Sequence, residues 1–370
     1  MNSSSVQSVT PSVLVVSNMY PSATDRRFGS FVADSVAAMR ALGADVRTLA
    51  ISDSRRGAIR ATLKYAGLLM RALAAAVRGG YDVVHAHYLF PTGPIAMIAA
   101  YSRGVPLILF AHGSDLLLAR RGWPVGPFTR WAARKAYVLV APSESLAREL
   151  RLAIGSEELS VEICPMGVDP GLFRPGDRAE ARASAGLPVT GRVVLFAGTL
   201  DANKGAGCEE LLAALDDDAL ADVQLIVVGE GPWRARLESA ARIGSLADRV
   251  VFRGSEPRDA LAALMRAADV VAVPSRREGL GLVALEAAAS GTPVVAAAVG
   301  GLVEHVQPGV SGELYEPGDP VRLRAALRTV LAAPERYRPA LAADRYTLEG
   351  SARAVLELSA AAIEREGRGR

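Results

Sequence analysis

The amino-acid sequence predicts an α/β protein made of two doubly wound domains, and three observations point there. Its 370 residues are long for one hydrophobic core and comfortable for two. Apolar residues make up 50% of the chain and charged residues 22%, a globular balance that excludes disordered and fibrous classes. Short β-branched runs alternate with longer helical patterns, in two series separated by a stretch without periodicity.

The first series reads as buried parallel strands at SVLVVS (12–17), DVRTLAI (45–51), DVVHAH (82–87), PLILFAH (106–112) and YVLVAP (137–142). Nearly continuous apolar runs are expected when helices cover both faces of a sheet. Between the strands lie helix candidates such as FVADSVAAMRALG (31–43), which ends at Gly43 where a helix C-cap is expected. CPMGVDPGLFRPGD (164–177), dense in Pro and Gly, is the predicted linker. The second series runs RVVLFAG (192–198), VQLIVVG (223–229), RVVFRG (249–254), DVVAVPS (269–275) and PVVAAA (293–298). The expected domains are 1–168, opening on a frayed tail over 1–11, and 169–345, followed by a helical segment over 346–370.

The start, MNSSSVQSVTPS, lacks the charged and apolar regions of a signal peptide, and no run approaches the roughly 18 to 20 apolar residues of a membrane span. Cys164 and Cys208 have neither metal-ligand spacing nor a disulfide framework, so a cytoplasmic protein is expected. The formal net charge of +3 is unevenly spread. Residues 1–150 carry 17 Lys+Arg against 8 Asp+Glu, and the remainder 25 against 31. A basic first half suggests an anionic partner.

In open α/β sheets ligands bind beyond the carboxyl ends of the strands. With two such domains, a cleft between them is the expected site. His112, Gly198, Gly229 and Glu278 all stand at predicted strand ends. The richest segment is PSRREGLGLVALEAAASGTPVV (274–295), where Glu278 and Glu286 flank a glycine-bearing turn, Gly279-Leu280-Gly281, into a helix beginning near Leu282 and Val283. Such a turn offers unpaired backbone N–H groups and the positive end of a helix dipole, which suit a phosphate. Glu278 would accept hydrogen bonds from sugar hydroxyls, and Glu286, about one turn inside the helix, would grip a vicinal diol such as a ribose. The alternative for the pair is a dipole-facing acid and a solvated helix residue.

Other motifs point elsewhere only weakly. Asp216-Asp217-Asp218 contains a D-x-D pattern but follows the helical ELLAAL, so it reads as a solvated helix end and no metal is expected. GTLDANKG has the wrong spacing for a phosphate-binding G-x-x-x-x-G-K-[ST] loop, and VVGEGPWRARL has Arg234 where a dinucleotide loop needs its last glycine. Aromatic residues at 5% offer few stacking platforms for nucleic acid.

The spacing E-x₇-E filled by EGLGLVALE, then GTPVVA and VGGLVEHVQPGVSGELYEPGD, resembles the retaining GT-B glycosyltransferases of family 4 (glycosyl transferases group 1). LFAGTLDANKG (195–205), LIVVGEGPWRARLESAA (225–241), DRVVFRGSEPRDALAALMRAADVVAVPSRREG (248–279) and PMGVDPGLF (165–173) are similar to successive blocks of that family. NMYPSATDRRFGSFVADSVAAMRALGADV (18–46) and LILFAHGSDL (107–116) resemble its acceptor-domain pattern, so the likeness spans about 12 to 345. It implies a GT-B fold, two Rossmann-like domains facing across a cleft, with the last helix crossing back to the first domain. It also implies metal-independent transfer of a hexosyl group, with retention, from a nucleotide sugar such as a UDP- or GDP-hexose.

The resemblance further implies roles. Glu278 would contact the donor sugar, Glu286 the ribose and Lys204 the diphosphate. His112 would sit near the sugar 6-hydroxyl and the reacting centre, Gly29 in a loop approaching the diphosphate, and Gly254 beside the nucleobase. Gly198-Thr199-Leu200 departs from the family's G-R-L. Either another arginine, such as Arg253, supplies the missing cation, or the helix N-terminus at 281–284 carries more charge, or turnover is poor. A non-enzymatic sugar-nucleotide-binding subunit and a GT-B epimerase stay open beside the transferase. His85 and His87 alternate on a buried strand and read as core or supporting residues.

The basic half holds two amphipathic patches. In 55–78 the charges Arg56, Arg60, Lys64, Arg71 and Arg78 recur on one helix face beside Ile59, Leu63, Ala66, Leu73 and Val77. In 116–137 Arg120, Arg121, Arg130, Arg134 and Lys135 mix with Trp123, Phe128 and Trp131, on what the resemblance makes the acceptor side. They suit an anionic membrane surface, hence a glycan or lipid-linked acceptor and a peripheral location on the inner face of the plasma membrane. The alternative is a solvated face on a helix packed against its own sheet.

Overall fold

A computed structural model describes residues 10–55 and 57–368. Arg56 and most of the predicted N-terminal tail therefore lie outside the described residues. The described chain divides into two compact units, one ending at Gly167 and resuming at Leu348, the other Val168–Thr347.

The first unit is a six-stranded parallel sheet of β1 (Ser12–Ser17), β2 (Asp45–Ala50), β3 (Val83–His87), β4 (Leu107–Phe110), β5 (Val138–Ala141) and β6 (Val161–Ile163), in the order β2-β1-β3-β4-β5-β6. The second unit repeats the plan with β7 (Arg192–Ala197), β8 (Val223–Val228), β9 (Val250–Gly254), β10 (Val270–Val273), β11 (Val294–Ala297) and β12 (Gly312–Tyr315), in the order β12-β11-β10-β7-β8-β9. Ten strands fall where the sequence predicts them. β6 and β12 do not, because each is a short edge strand that keeps its glutamate out of the core (VEI, GELY) and shows no apolar run.

Burial explains the two-layered cover. One face of the first sheet packs against Leu68, Ala72 and Ala75 of helix Ala58–Arg78, against helix Thr92–Arg103, and against Ala132, Ala133 and Leu150 of two later helices. The other face packs Val32, Val36 and Met39 of helix Ser30–Ala41 with Ala352, Val355 and Ala362 of the last helix, Leu348–Arg368. Ser30–Ala41 stops where predicted: Gly43, at φ 90°, donates to the carbonyl of Arg40, and Ala44 donates to that of Met39.

The predicted linker is irregular through Phe173, and Asp177 then caps helix Arg178–Ala185 by accepting the Glu180 N–H at 2.8 Å. That helix is fastened to the second sheet by a buried network the sequence did not disclose. Asp269, at the start of β10, accepts from Arg182 at 2.6 Å, from Arg178 at 2.6 Å and from the Val193 N–H at 2.7 Å. The remaining Arg182 donors reach the carbonyls of Ala267, Val189 and Gly191. Each buried charge is thus fully hydrogen-bonded, which is what makes its burial tolerable, and removing one partner strands the other. Asp269→Ala is expected to cost the second unit about 3 to 5 kcal/mol. Urea unfolding followed by hydrogen exchange of β7 and β10 amides measures this. A loss below about 1 kcal/mol would contradict the network's role.

Candidate functional site

In each sheet one point exists where the strand order reverses, so that successive crossovers leave in opposite directions and open a crevice at the strand ends. In the second unit that point lies between β7 and β10. The chain leaving β7 is Gly198-Thr199-Leu200 and runs into helix Lys204–Leu215; the chain leaving β10 is the 274–281 loop and runs into helix Leu282–Ala289. The topology therefore brings Lys204 and Glu278 together. Lys204 Nζ is 3.2 Å from Glu278 Oε1, and the same oxygen accepts from Ser275 Oγ at 2.7 Å.

The two loops are tied by the Asn203 side chain to the Arg277 backbone. Asn203 donates through its amide to the Arg277 carbonyl at 3.0 Å and accepts the Arg277 N–H at 2.9 Å. Asp201 caps the Lys204 helix by accepting from the Asn203 and Lys204 N–H groups, each at 2.9 Å. Gly198 leaves room for the lysine stem, since a methyl group there would lie 2.8 Å from Lys204 Cδ. At Gly300 an added methyl would overlap the Glu278 carbonyl oxygen, so the 299–302 turn seats directly on the glutamate loop. His305 holds that loop from below, with Nε2 2.8 Å from the Leu280 carbonyl oxygen.

Gly281 enters the helix at φ 86°, a left-handed conformation, and the N–H groups of Leu282 and Val283 then have no acceptor within the helix. Leu280 is buried. Glu286 lies one turn on; it is 7% exposed and 3.8 Å from Arg258, so it is not a solvated helix residue. Gly254, at the end of β9 with φ 69°, accepts from Gly229 N–H at 2.6 Å. Beside it Arg234 pairs with Glu230 and, at 2.7 Å, with Glu238.

Thr199 is exposed and brings no charge, only a carbonyl that accepts the Asp201 N–H at 2.9 Å. Arg253 does not replace the missing cation. It is committed to Glu256 at 2.7 Å and to the Ala185 carbonyl at 2.9 Å. The cations the sequence passed over are Arg276 and Arg277, both exposed on the loop that carries Glu278. Asp216-Asp217-Asp218 lies at the end of helix Lys204–Leu215, where Asp217 pairs with Arg324 at 3.1 Å and Asp216 accepts from Ser245 Oγ at 2.7 Å.

In the first unit the order reverses between β1 and β3. Gly29 (φ 72°) ends the 18–29 loop there; a methyl group on it would lie 2.6 Å from the Met19 carbonyl oxygen. His112, just beyond β4, stands in a histidine and aromatic cluster. His87 Nδ1 lies 3.1 Å from His112 Nε2, and Phe31 and Tyr88 rings lie 4.9 and 4.7 Å from the His112 ring. Tyr88 alone among described non-glycine residues has a positive φ, 75°, a strain of the kind found at functional sites. Asp115, fully buried, accepts the His112 N–H at 2.6 Å and the Leu89 N–H at 2.8 Å, clamping the loops after β3 and β4 together. Neither Asp115 nor the contact of His87 with His112 was assigned a role from sequence, and both follow from adjacency of strands that only the fold reveals. A cleft of about 390 Å³ opens near the ends of β1 and β2, lined by Asn18, Asp53, Lys64 and Tyr65. Asn18 Oδ1 is buried without a protein partner.

The acceptor-side patch is divided by the fold. Arg130 donates to the Ala119 carbonyl at 2.7 Å and Arg134 to that of Ile154 at 2.7 Å, so both brace backbone. Arg120, Arg121, Trp123 and Trp131 are exposed.

Residues 177–343 match the model of glycosyl transferases group 1, and residues 21–172 that of glycosyltransferase family 4. A curated relative in Segniliparus rotundus, D-inositol 3-phosphate glycosyltransferase, is 39% identical over 274 residues, covering 70% of this chain and 60% of the relative. The chain thus spans less than two thirds of the length of such relatives. Among solved structures, sucrose-phosphate synthase from Thermosynechococcus elongatus is similar over 96% of this chain and 98% of its own, with TM-score 0.73 and 23% identity. Anabaena HepE in complex with UDP-glucose covers 96% of this chain and 98% of its own, with TM-score 0.69 and 22% identity. At those identities the two structures speak to fold alone.

The histidine cluster sets a pH response for the first unit. Burial holds His85 and His87 down to about 3, and His112 well below the ordinary value of 6.5. Ser359 Oγ donates to the Val355 carbonyl at 2.7 Å, so at 2.8 Å it accepts from His85 Nε2–H, which fixes the neutral tautomer. The unfolded chain protonates these rings near pH 6.5 and the folded chain does not, so stability declines as pH falls below about 6.5. Asp115 works the other way. Burial raises it to about 6, and its protonation between about 6 and 4 favours the fold. The expected net loss is about 1.4 kcal/mol per pH unit for each histidine, offset by Asp115 below pH 6. Denaturant unfolding between pH 7.5 and 5 reads it, and His85→Gln should flatten the slope. A stability independent of pH over that range would contradict the neutral cluster.

Proposed function

We propose, from the premise that this chain belongs to the glycosyl transferases group 1 and has the GT-B fold, that it transfers a hexosyl group from a nucleoside-diphosphate sugar to an acceptor hydroxyl. The observation that carries the reading is the Lys204–Glu278 contact beside a glycine-opened helix N-terminus at the strand-order reversal of the second unit. A mobile cation, two inward N–H groups and the positive end of a helix suit a diphosphate. When that anion binds, Lys204 exchanges one oxygen ligand for another, and Glu278 is released to accept from sugar hydroxyls. Glu286, buried and one turn deeper, takes the ribose diol, and Gly254 borders the base.

Transfer breaks the bond from the anomeric carbon to the diphosphate oxygen and forms one to the acceptor oxygen, on the same face of the sugar. The acceptor proton passes to the departing phosphate oxygen, so no enzyme carboxylate is needed as nucleophile and no metal as electrophile. Lys204 and the Leu282 and Val283 N–H groups hold the charge that develops on the leaving group. Arg276 and Arg277, exposed on the loop that carries Glu278, are the candidates for the cation absent at Thr199. His112 orients the hexose as a neutral imidazole, in keeping with its depressed proton affinity. The nucleobase stays open between UDP and GDP; UDP is the first to test because HepE, of like fold, is described with UDP-glucose.

The acceptor belongs to the first unit, in the 390 Å³ cleft at the ends of β1 and β2. A glycan or lipid-linked hydroxyl acceptor is the first reading. A phosphorylated cyclitol is the second, favoured by the names of the curated relatives. Calorimetric titration with UDP, GDP, ADP and their hexose derivatives tests the donor site. One nucleotide should bind selectively, and Lys204→Ala should weaken it by about 1.5 to 3 kcal/mol, or roughly 10- to 100-fold. Glu278→Ala should abolish the added affinity of the sugar while sparing the nucleotide, and His112→Ala should lower kcat with nucleotide affinity unchanged. Failure of every nucleotide to bind would overturn the donor site.

A further inference from the structure

Helix Ala58–Arg78 carries two apolar faces, one buried and one exposed. The helix rests on the sheet through Leu68, Ala72, Ala75 and Ala76. Its larger apolar residues point the other way: Ile59 is 80% exposed, Leu63 67%, Met70 64% and Val77 83%. With Ala66 and Leu73 they recur at alternating steps of four and three, which draws one stripe along a helix of 3.6 residues per turn. That stripe lies opposite the packed face. A helix that only covers its own sheet ordinarily puts polar residues on that outer face, and this one does not. The stripe is flanked on one side by the exposed Arg60 and Arg78, with Lys64 and Arg71 between them reaching back to the carbonyls of Asp53, Arg55 and Ala50.

The neighbouring helices extend the same surface. Thr92–Arg103 lies beside Ala58–Arg78 and beside Val125–Lys135, and all three cover one face of the first sheet, so their outer sides share one direction. Together they contain eight Lys and Arg and no Asp or Glu. Tyr101, Trp123, Phe128 and Trp131 add exposed aromatic rings, Trp123 at 85% exposure. An outward surface that is apolar and bordered by exposed cations, Arg60 and Arg78 among them, selects its occupant. A second copy would set its own basic ridge against this one, cation to cation. An anionic lipid bilayer instead accepts the apolar stripe at the headgroup boundary, the aromatic rings beside it and the cations at the phosphates.

We propose that this three-helix face, centred on the Ile59–Val77 stripe, docks the protein on an anionic lipid membrane. It deepens the acceptor reading, since a docked enzyme meets a lipid-linked acceptor at the surface. Its test reads binding rather than turnover, so that either can fail alone. Flotation of the full chain with phosphatidylcholine vesicles, with and without about 30% phosphatidylglycerol, is the measurement. Protein should float only with the anionic vesicles, and less as salt rises. The triple variant Ile59→Ser, Met70→Ser, Val77→Ser should lose at least tenfold in vesicle partition while keeping the wild-type melting temperature and nucleotide affinity. Changing Arg60 and Arg78 to Gln should weaken partition into the anionic vesicles and flatten its salt dependence. Absence of flotation with anionic vesicles at low salt would overturn the proposal. So would a dimer in light scattering that the triple variant dissociates, since the face would then belong to a second copy.

Discussion

Strand order is the constraint on which the rest depends. A sheet of parallel strands connected by right-handed crossovers cannot grow in both directions from one strand without reversing, and where it reverses two loops leave side by side. In the second unit those loops follow β7 and β10, one ending in Lys204 and the other carrying Glu278. Some 74 residues separate Asn203 from Arg277, yet the two exchange hydrogen bonds in both directions because the sheet leaves them no other neighbour.

The glycines around that point serve the same geometry. Gly198 clears the lysine stem, Gly281 turns the chain into the helix at a positive φ, and Gly300 lets a third loop seat against the glutamate loop. A charged ligand then meets groups already in place. Only Lys204 and Glu278 must part, and the diphosphate offers Lys204 an anion at least as strong as the carboxylate it gives up. The first unit is built on a different strand order with the same consequence. Its reversal lies between β1 and β3, and beyond the neighbouring β4 it concentrates buried neutral histidines, a clamping aspartate and a strained tyrosine.

The fold was legible because parallel strands buried on both faces must be nearly continuously apolar, and the eight interior strands are. At the edges β2 and β9 were long enough to read, whereas β6 and β12 escaped because each is short and carries a glutamate. The glutamate pair and Lys204 could be found from spacing, since strand-turn-helix junctions with glycines are local features. What escaped depends on contacts between distant segments: the Arg182–Asp269 network, the Asn203–Arg277 exchange, Asp115 under His112. Arg253 failed as a replacement cation because its nearby partner Glu256 takes it, a competition that strand position alone does not reveal. The basic helix was legible only in part. Its periodicity was plain, but which of its two apolar faces meets the sheet is decided by packing alone.

A crystal structure of the protein with the nucleoside diphosphate it binds most tightly tests the central claim directly. The diphosphate is predicted within hydrogen-bonding distance of Lys204 Nζ and of the Leu282 and Val283 N–H groups, with Glu278 turned from the lysine and Glu286 at the ribose. A nucleotide bound elsewhere, or bound with the Lys204–Glu278 contact intact, would contradict it.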